Sequence, residues 1–381
     1  FNWTAPLQIS PHDPKKLYFG GNRLFISPDR GETWAAGPDL TKAEDRDTFP
    51  IMGVPPSAEM LSRHDGVGAW GTFTTLAESP VAAGVIWVGT DDGNVQLSKD
   101  GGKTWMNVVD RIPGVPPRSY VSRVEPSHAQ AGTAYVAFDR HQDDDLAPYI
   151  FRTTDFGQTW TAIASGLPKV GWVNVVKEHP KNPRLLFAGT ETGAFVSVDG
   201  GGRWLRLPHL PTVPVDDLVI HPRDNDLVIG THGRSLYVLD DLTPLSALTA
   251  DVLQAEAHLF QPRPATIFMP WKHESYSAQR EFAGPNPPFG ALISYYLKAV
   301  PAGRAKISIL NAQGQLVREL TATADPGINR VVWDLRLPPP EGVPPTERAI
   351  DRITKGWQAM TPRGPFVLPG VYTVKLAAGG R

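Results

Sequence analysis

The sequence contains no cysteine among its 381 residues, and this excludes disulfide bonds and thiolate metal sites. No apolar run reaches the length that a membrane-spanning helix needs, so we expect no transmembrane segment. The formal net charge is only −2 at pH 7, which gives no reason to expect binding to nucleic acid. The HExxH and GxSxG motifs and the glycine-rich phosphate loops are also missing. The sequence therefore predicts no resident cofactor, apart from a calcium candidate described below.

Glycine and proline, in contrast, are abundant, with 36 and 38 residues. Together with 41% hydrophobic residues, this composition indicates many short strands joined by turns, and we predict an all-β protein. The chain starts at Phe1 rather than methionine, and no signal peptide precedes it. We expect a processed chain or a part of a larger protein or assembly.

One eight-residue motif, [ST]-x-D-x-G-x-x-W, occurs four times, at residues 27–34, 98–105, 153–160 and 197–204. Each copy follows a short apolar run, a context typical of a tight turn between two strands. We predict that the aspartate caps backbone N–H groups of the turn, that glycine adopts a positive φ, and that tryptophan packs between neighbouring sheets. A structural role is therefore favoured over a catalytic one for the motif residues Asp29, Trp34, Asp100, Trp105, Asp155, Trp160, Asp199 and Trp204.

The motif belongs to a larger repeating unit of four strands, and five such units are visible. In each unit, one strand ends near proline and a second usually ends in glycine. In the four units that carry the motif, the motif hairpin supplies the third and fourth strands. Repeated four-stranded antiparallel units predict the blades of a β-propeller over residues 1–240. The fifth unit lacks a fourth strand. Residues 1–4 could complete it by exchange between the termini, or further blades could precede the chain; both readings stay open.

After residue 240 the composition changes. Residues 241–289 read as a linker that becomes proline-rich. Alternating apolar residues return from residue 290 and predict an Ig-like β-sandwich over residues 290–381.

The four motifs resemble the Asp boxes, also called BNR repeats, of sialidases, xyloglucan-active glycosidases and the sortilin-type receptor propeller. Longer phrases, such as PHDPKKLYFGGNRLFISPDRGETW and VIGTHGRSLYVLDDL, resemble large secreted bacterial proteins described as "glycosyl hydrolase" or "sortilin-like", with a C-terminal Ig-like domain. Asp boxes occur in enzymes and in receptors, so the resemblance predicts the fold rather than the activity. A sialidase is rejected, because the sole near match to that family's opening strand, at residues 111–113, follows an Asp box.

Blade topology separates two rims: the Asp boxes lie on one, and the turns between second and third strands lie on the other. The resemblance implies that ligands bind on the second rim. Glycoside hydrolysis needs two carboxylates about 5–5.5 Å or about 6.5–9.5 Å apart. Asp91 or Asp92 of the second blade and Glu191 of the fourth are the candidate catalytic pair across the channel. The alternative is that these residues only form good turns.

Other candidates lie on the same rim. Aromatic rings suited to sugar stacking are Trp70, Tyr120 and Trp172, and polar candidates for ligand binding are His64, His232 and Arg234. Asp139, Asp143 and Asp145 form a calcium candidate, because calcium prefers carboxylate oxygens. They lack the glycine and distal glutamate of an EF-hand loop, so a solvated acidic loop is the alternative.

Two functions follow from these features. The first is a secreted, periplasmic or cell-surface binding protein that holds a polysaccharide or peptide on the second rim. The second is a glycoside hydrolase that acts on a polysaccharide.

Overall fold

The computed structural model describes residues 1–60, 64, 70–269, 286–339 and 364–379. Contacts divide the chain into two compact units, Phe1–Leu242 and Thr243–Arg381. The regular structure is almost entirely antiparallel strands, which confirms the all-β prediction.

The first unit contains five antiparallel sheets among the described residues, and in each sheet the strands are neighbours in chain order. Sheets one and two comprise β1 (Leu7–Ile9), β2 (Leu17–Gly20), β3 (Arg23–Ser27), β4 (Ala35–Asp39), β5 (Phe73–Glu78), β6 (Ile86–Thr90), β7 (Val95–Ser98) and β8 (Met106–Asn107). Sheets three and four comprise β9 (Tyr120–Pro126), β10 (Ala134–Arg140), β11 (Asp145–Thr153), β12 (Thr161–Ala162), β13 (Val173–His179), β14 (Asn182–Thr190), β15 (Gly193–Ser197) and β16 (Leu205–Arg206). Sheet five comprises β17 (Val215–Ile220), β18 (Leu227–Thr231) and β19 (Leu236–Leu239).

Neighbouring sheets pack face to face through apolar cores. The core between sheets two and three includes Trp87 and Phe138, which are fully buried. The core between sheets three and four includes Tyr135, Ile150 and Val176. Burying a side chain such as Phe138 contributes roughly 1.5–3 kcal/mol relative to leaving it in water, so these cores stabilise the stacking of the sheets.

The first strands of sheets two to five, β5, β9, β13 and β17, contact one another in that order. β5, β9 and β13 each contribute a polar side chain that donates a hydrogen bond to a backbone carbonyl of the next first strand. These bonds run from Thr74 to Val121 at 2.5 Å, from Ser122 to Val173 at 2.6 Å and from Asn174 to Val215 at 3.2 Å. Meandering sheets stacked about their first strands form the arrangement of propeller blades, and we call them blades 1 to 5.

In blades 2 and 4, packing against the next blade explains the glycine that stands one residue before the end of the second strand. A Cβ atom on Gly89 would collide with Val121 of blade 3. A Cβ atom on Gly189 would lie 2.7 Å from a methyl group of Val215 in blade 5. The recurring glycine therefore permits the close approach of successive blades.

The N-terminal residues do not complete blade 5. Residues 3–4 form a turn, and β19 has no strand partner besides β18 in the described part of the chain. The Phe1 ring stacks on Phe19 of blade 1, with ring centroids 4.9 Å apart. The predicted strand exchange is therefore wrong, because the N-terminus packs on blade 1 rather than on the edge of β19.

The Asp-box turns are held by hydrogen bonds that the aspartates accept. The carboxylate of Asp100 accepts from the hydroxyl groups of Thr104 and Ser98 and from the backbone N–H groups of Thr104 and Lys103. These bonds, led by the Thr104 hydroxyl, lower the pKa of Asp100 from 3.8 to about 2. Asp199 accepts from the backbone of Arg203, which replaces the threonine of the other copies. The carboxylates are thus committed to the turns.

The motif tryptophans differ in burial. Trp160 and Trp204 are 8% and 3% exposed, and Trp160 packs edge-on against Trp87 of the preceding blade. Trp105 packs on the core between blades 1 and 2. Trp34 is 43% exposed, because blade 1 has no preceding blade among the described residues. The predicted packing between sheets therefore does not hold for Trp34.

The second unit contains two three-stranded sheets among its described residues, in the orders β20-β21-β24 and β23-β22-β25. Its elements are α1 (Thr243–Ser246), α2 (Ala250–Gln254), β20 (Ala257–Leu259), β21 (Ala291–Leu297), β22 (Ala305–Leu310), β23 (Leu316–Ala322), β24 (Gly327–Trp333) and β25 (Thr373–Ala377). Strand β20 lies in the segment predicted as a linker, because its apolar residues pair with β21. The Ig-like assignment stays a prediction. No helix in the described ranges is long and apolar enough to cross a membrane.

Candidate functional site

A cavity of about 1060 Å³ lies along the first strands of blades 2 to 5. Its wall includes a polar residue near the start of each of these strands: Thr74, Ser122, Asn174 and Asp216. Their strands begin at the rim that carries the turns between second and third strands, opposite the Asp boxes. The volume reaches the upper end of the range for small-molecule sites, about 300–1,000 Å³, so the cavity has room for an oligomeric ligand.

Asp91 and Asp92 follow β6 and are almost fully buried. Asp91 accepts hydrogen bonds from the backbone N–H groups of Gly71 and Thr72 and from the Thr72 hydroxyl, at 2.7–3.0 Å. Asp92 accepts from the Thr90 hydroxyl and from the backbone N–H of Lys42 at 2.6 Å. Burial raises the pKa of both carboxyl groups. In this geometry both side chains hold the chain segments around the rim.

Glu191 follows β14 and interacts electrostatically with charged side chains of blades 3 and 5. Partial burial raises its pKa, and the carboxylates of Asp216 and Asp139 act in the same direction, while His141 and His232 oppose them. We call these five residues the carboxylate–histidine cluster. Because the raised pKa keeps the proton on Glu191 to higher pH, this side chain suits proton donation. The structure thus surrounds Glu191 with Asp216 and Asp139 rather than with the predicted partner Asp91.

His141 links the cluster to an aromatic ring. Its Nδ1 lies 2.7 Å from Oδ1 of Asp139, and this hydrogen bond raises the pKa of the imidazole although burial opposes the shift. The imidazole stacks on Trp172, with ring centroids 4.6 Å apart. One face of Trp172, predicted as a sugar-stacking surface, is therefore covered by His141.

Asp216 is the most accessible of the paired carboxylates in the cluster. Its side chain is 53% exposed and lies 3.1 Å from Nδ1 of His232, which is itself largely exposed. Arg234 is exposed on the same turn between β18 and β19. Sequence reasoning missed Asp216, although its position offered a signal. It occupies the place held by Thr74, Ser122 and Asn174 in earlier blades, where a carboxylate cannot continue the ladder of donated hydrogen bonds.

A second missed interaction crosses the cavity. The guanidinium of Arg123 on β9 lies 2.7 Å from the carboxylate of Asp217 on β17. The pair joins blades 3 and 5 past the first strand of blade 4. Both residues line the cavity, so its floor and wall carry charge as well as hydroxyl and amide groups.

Two predicted aromatic residues line the cavity. Tyr120 starts β9, and burial followed by the charge of Asp91 raises the pKa of its hydroxyl to about 12, so it stays protonated at neutral pH. Trp70 packs against Phe49, with ring centroids 5.8 Å apart, and the guanidinium of Arg46 lies over its ring. These side chains form an apolar part of the cavity wall.

His64 belongs to a different surface. Its Nε2 lies 2.9 Å from Oδ1 of Asp47, and both side chains are more than half exposed. The residue does not line the cavity. Its partner Asp47 does not belong to the carboxylate–histidine cluster, and its role in ligand binding stays a prediction.

The calcium candidate stays a prediction, and its side chains have protein partners in this structure. Asp143 and Asp145 pair with the guanidinium of Arg140 at 3.2 and 3.1 Å, and Asp139 pairs with His141. Within the described ranges, no group of three or more metal-ligating side chains is arranged to hold an ion.

No protein-family model matches the chain. It is 25% identical over 222 residues to an oligoxyloglucan-reducing end-specific xyloglucanase of Emericella nidulans, a match that covers 55% of this chain and 23% of that protein. It is 25% identical over 297 residues to a xyloglucanase of a Paenibacillus species, covering 62% and 27%. The chain spans about a quarter of the length of these curated relatives.

Among solved structures, the chain is similar to the GH74 xyloglucanase of Xanthomonas campestris, with a TM-score of 0.42 and 13% identity. That match covers 87% of this chain and 45% of the other. The two sequence relatives and the Xanthomonas campestris protein are described as xyloglucanases. The present chain is similar to them over part of their length.

Proposed function

We propose that the chain is a glycoside hydrolase that acts on a polysaccharide of the xyloglucan and β-glucan class. Glu191 is the general acid and Asp216 is the second carboxylate. The observation that carries the proposal is that two carboxylates, Asp139 and Asp216, line a large cavity and act electrostatically on Glu191, whose pKa partial burial raises.

Glycoside hydrolysis needs two carboxyl groups with different roles. One carboxylic acid protonates the oxygen of the departing sugar, and an ionised carboxylate activates water or attacks the anomeric carbon. Partial burial, together with the charges of Asp216 and Asp139, raises the pKa of Glu191 and so favours its protonated form. An ionised Asp216 then supplies the second role.

Asp216 fits that second role better than Asp139 does. The Asp139 side chain is only 13% exposed, and both of its oxygens lie within 2.8 Å of Nδ1 of His141. Asp216 lines the cavity and is more accessible. Asp139 therefore acts as a positioning residue, which orients His141 against Trp172.

A purely binding protein, the first function predicted from the sequence, is less well supported than hydrolysis. The sequence relatives described as xyloglucanases favour the enzymatic alternative. A polysaccharide substrate also implies a location outside the cytoplasm, and we include that location in the proposal.

The test is release of reducing sugar from xyloglucan and from mixed-linkage and cellulosic β-glucans. We expect Glu191→Gln and Asp216→Asn each to lower kcat about 100- to 10,000-fold, the usual contribution of a general acid or base. The matched control is Glu32→Gln, an exposed carboxylate on the Asp-box rim that should leave release unchanged.

Full activity in the Glu191→Gln protein would contradict the assignment of the acid. Saturable binding of xyloglucan by the unaltered chain without any release would instead favour the binding function.

A further inference from the structure

The indole of Trp3 is 96% exposed, the highest exposure of the large apolar side chains described. It nevertheless lines the same cavity as Asp139, His141 and Asp216. A tryptophan usually buries its large apolar ring, so an exposed one beside a cavity calls for a ligand or a partner that covers it.

Hydrogen bonds of the two residues that flank Trp3 in the sequence anchor the turn that carries it. The Asn2 amide donates to the Thr72 hydroxyl at 3.1 Å, and the Asn2 side-chain oxygen accepts from the backbone N–H and the hydroxyl of Thr4. The Thr72 hydroxyl in turn donates to Asp91 at 2.7 Å. The buried carboxylate of Asp91 therefore fixes, through Thr72, the turn that presents Trp3.

A role for Trp3 within the blade stack has no support in the geometry. The residue belongs to no strand and does not pair with β19. Its neighbour Phe1, rather than Trp3, makes the ring contacts with blade 1. The fold thus fixes the backbone at Trp3 and leaves the indole free.

We infer that Trp3 is a stacking platform for a sugar ring of the substrate in the cavity. This inference rests on the proposed function, and it names the part of the substrate that is recognised. Substituents of a β-linked glucosyl ring are equatorial, so both faces of the ring present C–H groups that stack on an indole. Trp3 therefore selects flat β-glucosyl rings.

The test is calorimetric titration of cellohexaose and of xyloglucan oligosaccharides into the Glu191→Gln protein, which should hydrolyse them about 100- to 10,000-fold more slowly than the unaltered protein. We expect Trp3→Ala to weaken binding about tenfold, whereas Trp3→Phe, which retains an aromatic face, should weaken it about threefold or less. Trp34→Ala is the matched control, because it removes a partly exposed tryptophan that does not line the cavity. It should leave the affinity unchanged.

Binding that Trp3→Ala leaves unchanged overturns this inference alone. A large loss of thermal stability in Trp3→Ala also overturns it, because a fully exposed ring should not stabilise the fold. If the Glu191→Gln protein binds neither sugar and the unaltered chain releases none, the proposed function fails and this inference fails with it.

Discussion

At the scale of single residues, aspartates of this chain differ in what surrounds their oxygens. Asp100 accepts several hydrogen bonds in an exposed turn and is held ionised, with a pKa of about 2. Asp91 is buried, which raises its pKa, and its oxygens accept three hydrogen bonds. Asp216 keeps an accessible carboxylate at the cavity. Of the three, Asp216 combines an accessible side chain with a place in the cavity wall, so burial and hydrogen-bond donors distinguish the roles of these residues.

The raised pKa of Glu191 predicts the pH dependence of hydrolysis. The acid works only while protonated, so kcat/KM should fall as the pH rises through the pKa of Glu191, which lies above its ordinary value of 4.5. The measurement is a pH–rate profile for the unaltered protein and for Glu191→Gln, whose residual activity should lack the alkaline limb. An unchanged alkaline limb in that variant would assign it to another group.

At the scale of elements, a buried glutamate at the end of a first strand ties one blade to the preceding one. Glu178, the last residue but one of β13, accepts from the Ser127 hydroxyl at 2.8 Å, the Tyr135 hydroxyl at 2.9 Å and the backbone N–H of His128 at 2.7 Å, all in blade 3. Glu78 ends β5 and accepts from the hydroxyl of Ser10 in blade 1. The equivalent glutamates of blades 2 and 4 therefore add polar contacts to the apolar interface with the preceding blade.

We predict that Glu178→Gln destabilises the first unit by about 1–3 kcal/mol, because an amide NH₂ group then faces buried donors. The measurement is the free energy of unfolding by urea, with far-UV circular dichroism as the probe. Glu59→Gln is the control, since Glu59 is exposed. A change within about 0.5 kcal/mol, the usual effect of a surface substitution, would show that the three donors find other partners.

At the scale of the whole molecule, the candidate site belongs to one unit. The cavity wall and the carboxylate–histidine cluster lie within Phe1–Leu242. Each blade contacts mainly its neighbours, as in other repeat architectures, so stability is expected to depend on the interfaces between successive blades. The second unit has its own apolar core, formed around residues such as Ile307 and Trp333.

We therefore predict that a chain ending at Leu242 retains the release of reducing sugar, within about threefold of the full chain, because no residue of the site is removed. The measurement is the same sugar-release assay applied to both chains at equal concentrations of folded protein. A folded first unit without activity would show that Thr243–Arg381 contributes to substrate binding.

The amino-acid sequence by itself determined the repeating architecture. Turn chemistry is local: a serine or threonine, an aspartate and a glycine at fixed spacing specify the Asp-box hairpin wherever they occur. The glycine near the end of the second strand recurs in four of the five blades, and an apolar run precedes each of the four motifs. Fold class could be predicted because each repeat carries its own signals.

Only the tertiary structure decided which residues meet at the cavity. Asp91 and Glu191 occupy equivalent turns, yet Asp91 accepts hydrogen bonds from residues 71–72, whereas Glu191 lies among charges from blades 3 and 5. The signal for Asp216 appears only when its position is compared with Thr74, Ser122 and Asn174 of earlier blades, and an aromatic residue near a terminus, such as Trp3, is common. Their roles depend on burial and on long-range proximity, which arise only when distant repeats are packed around one cavity.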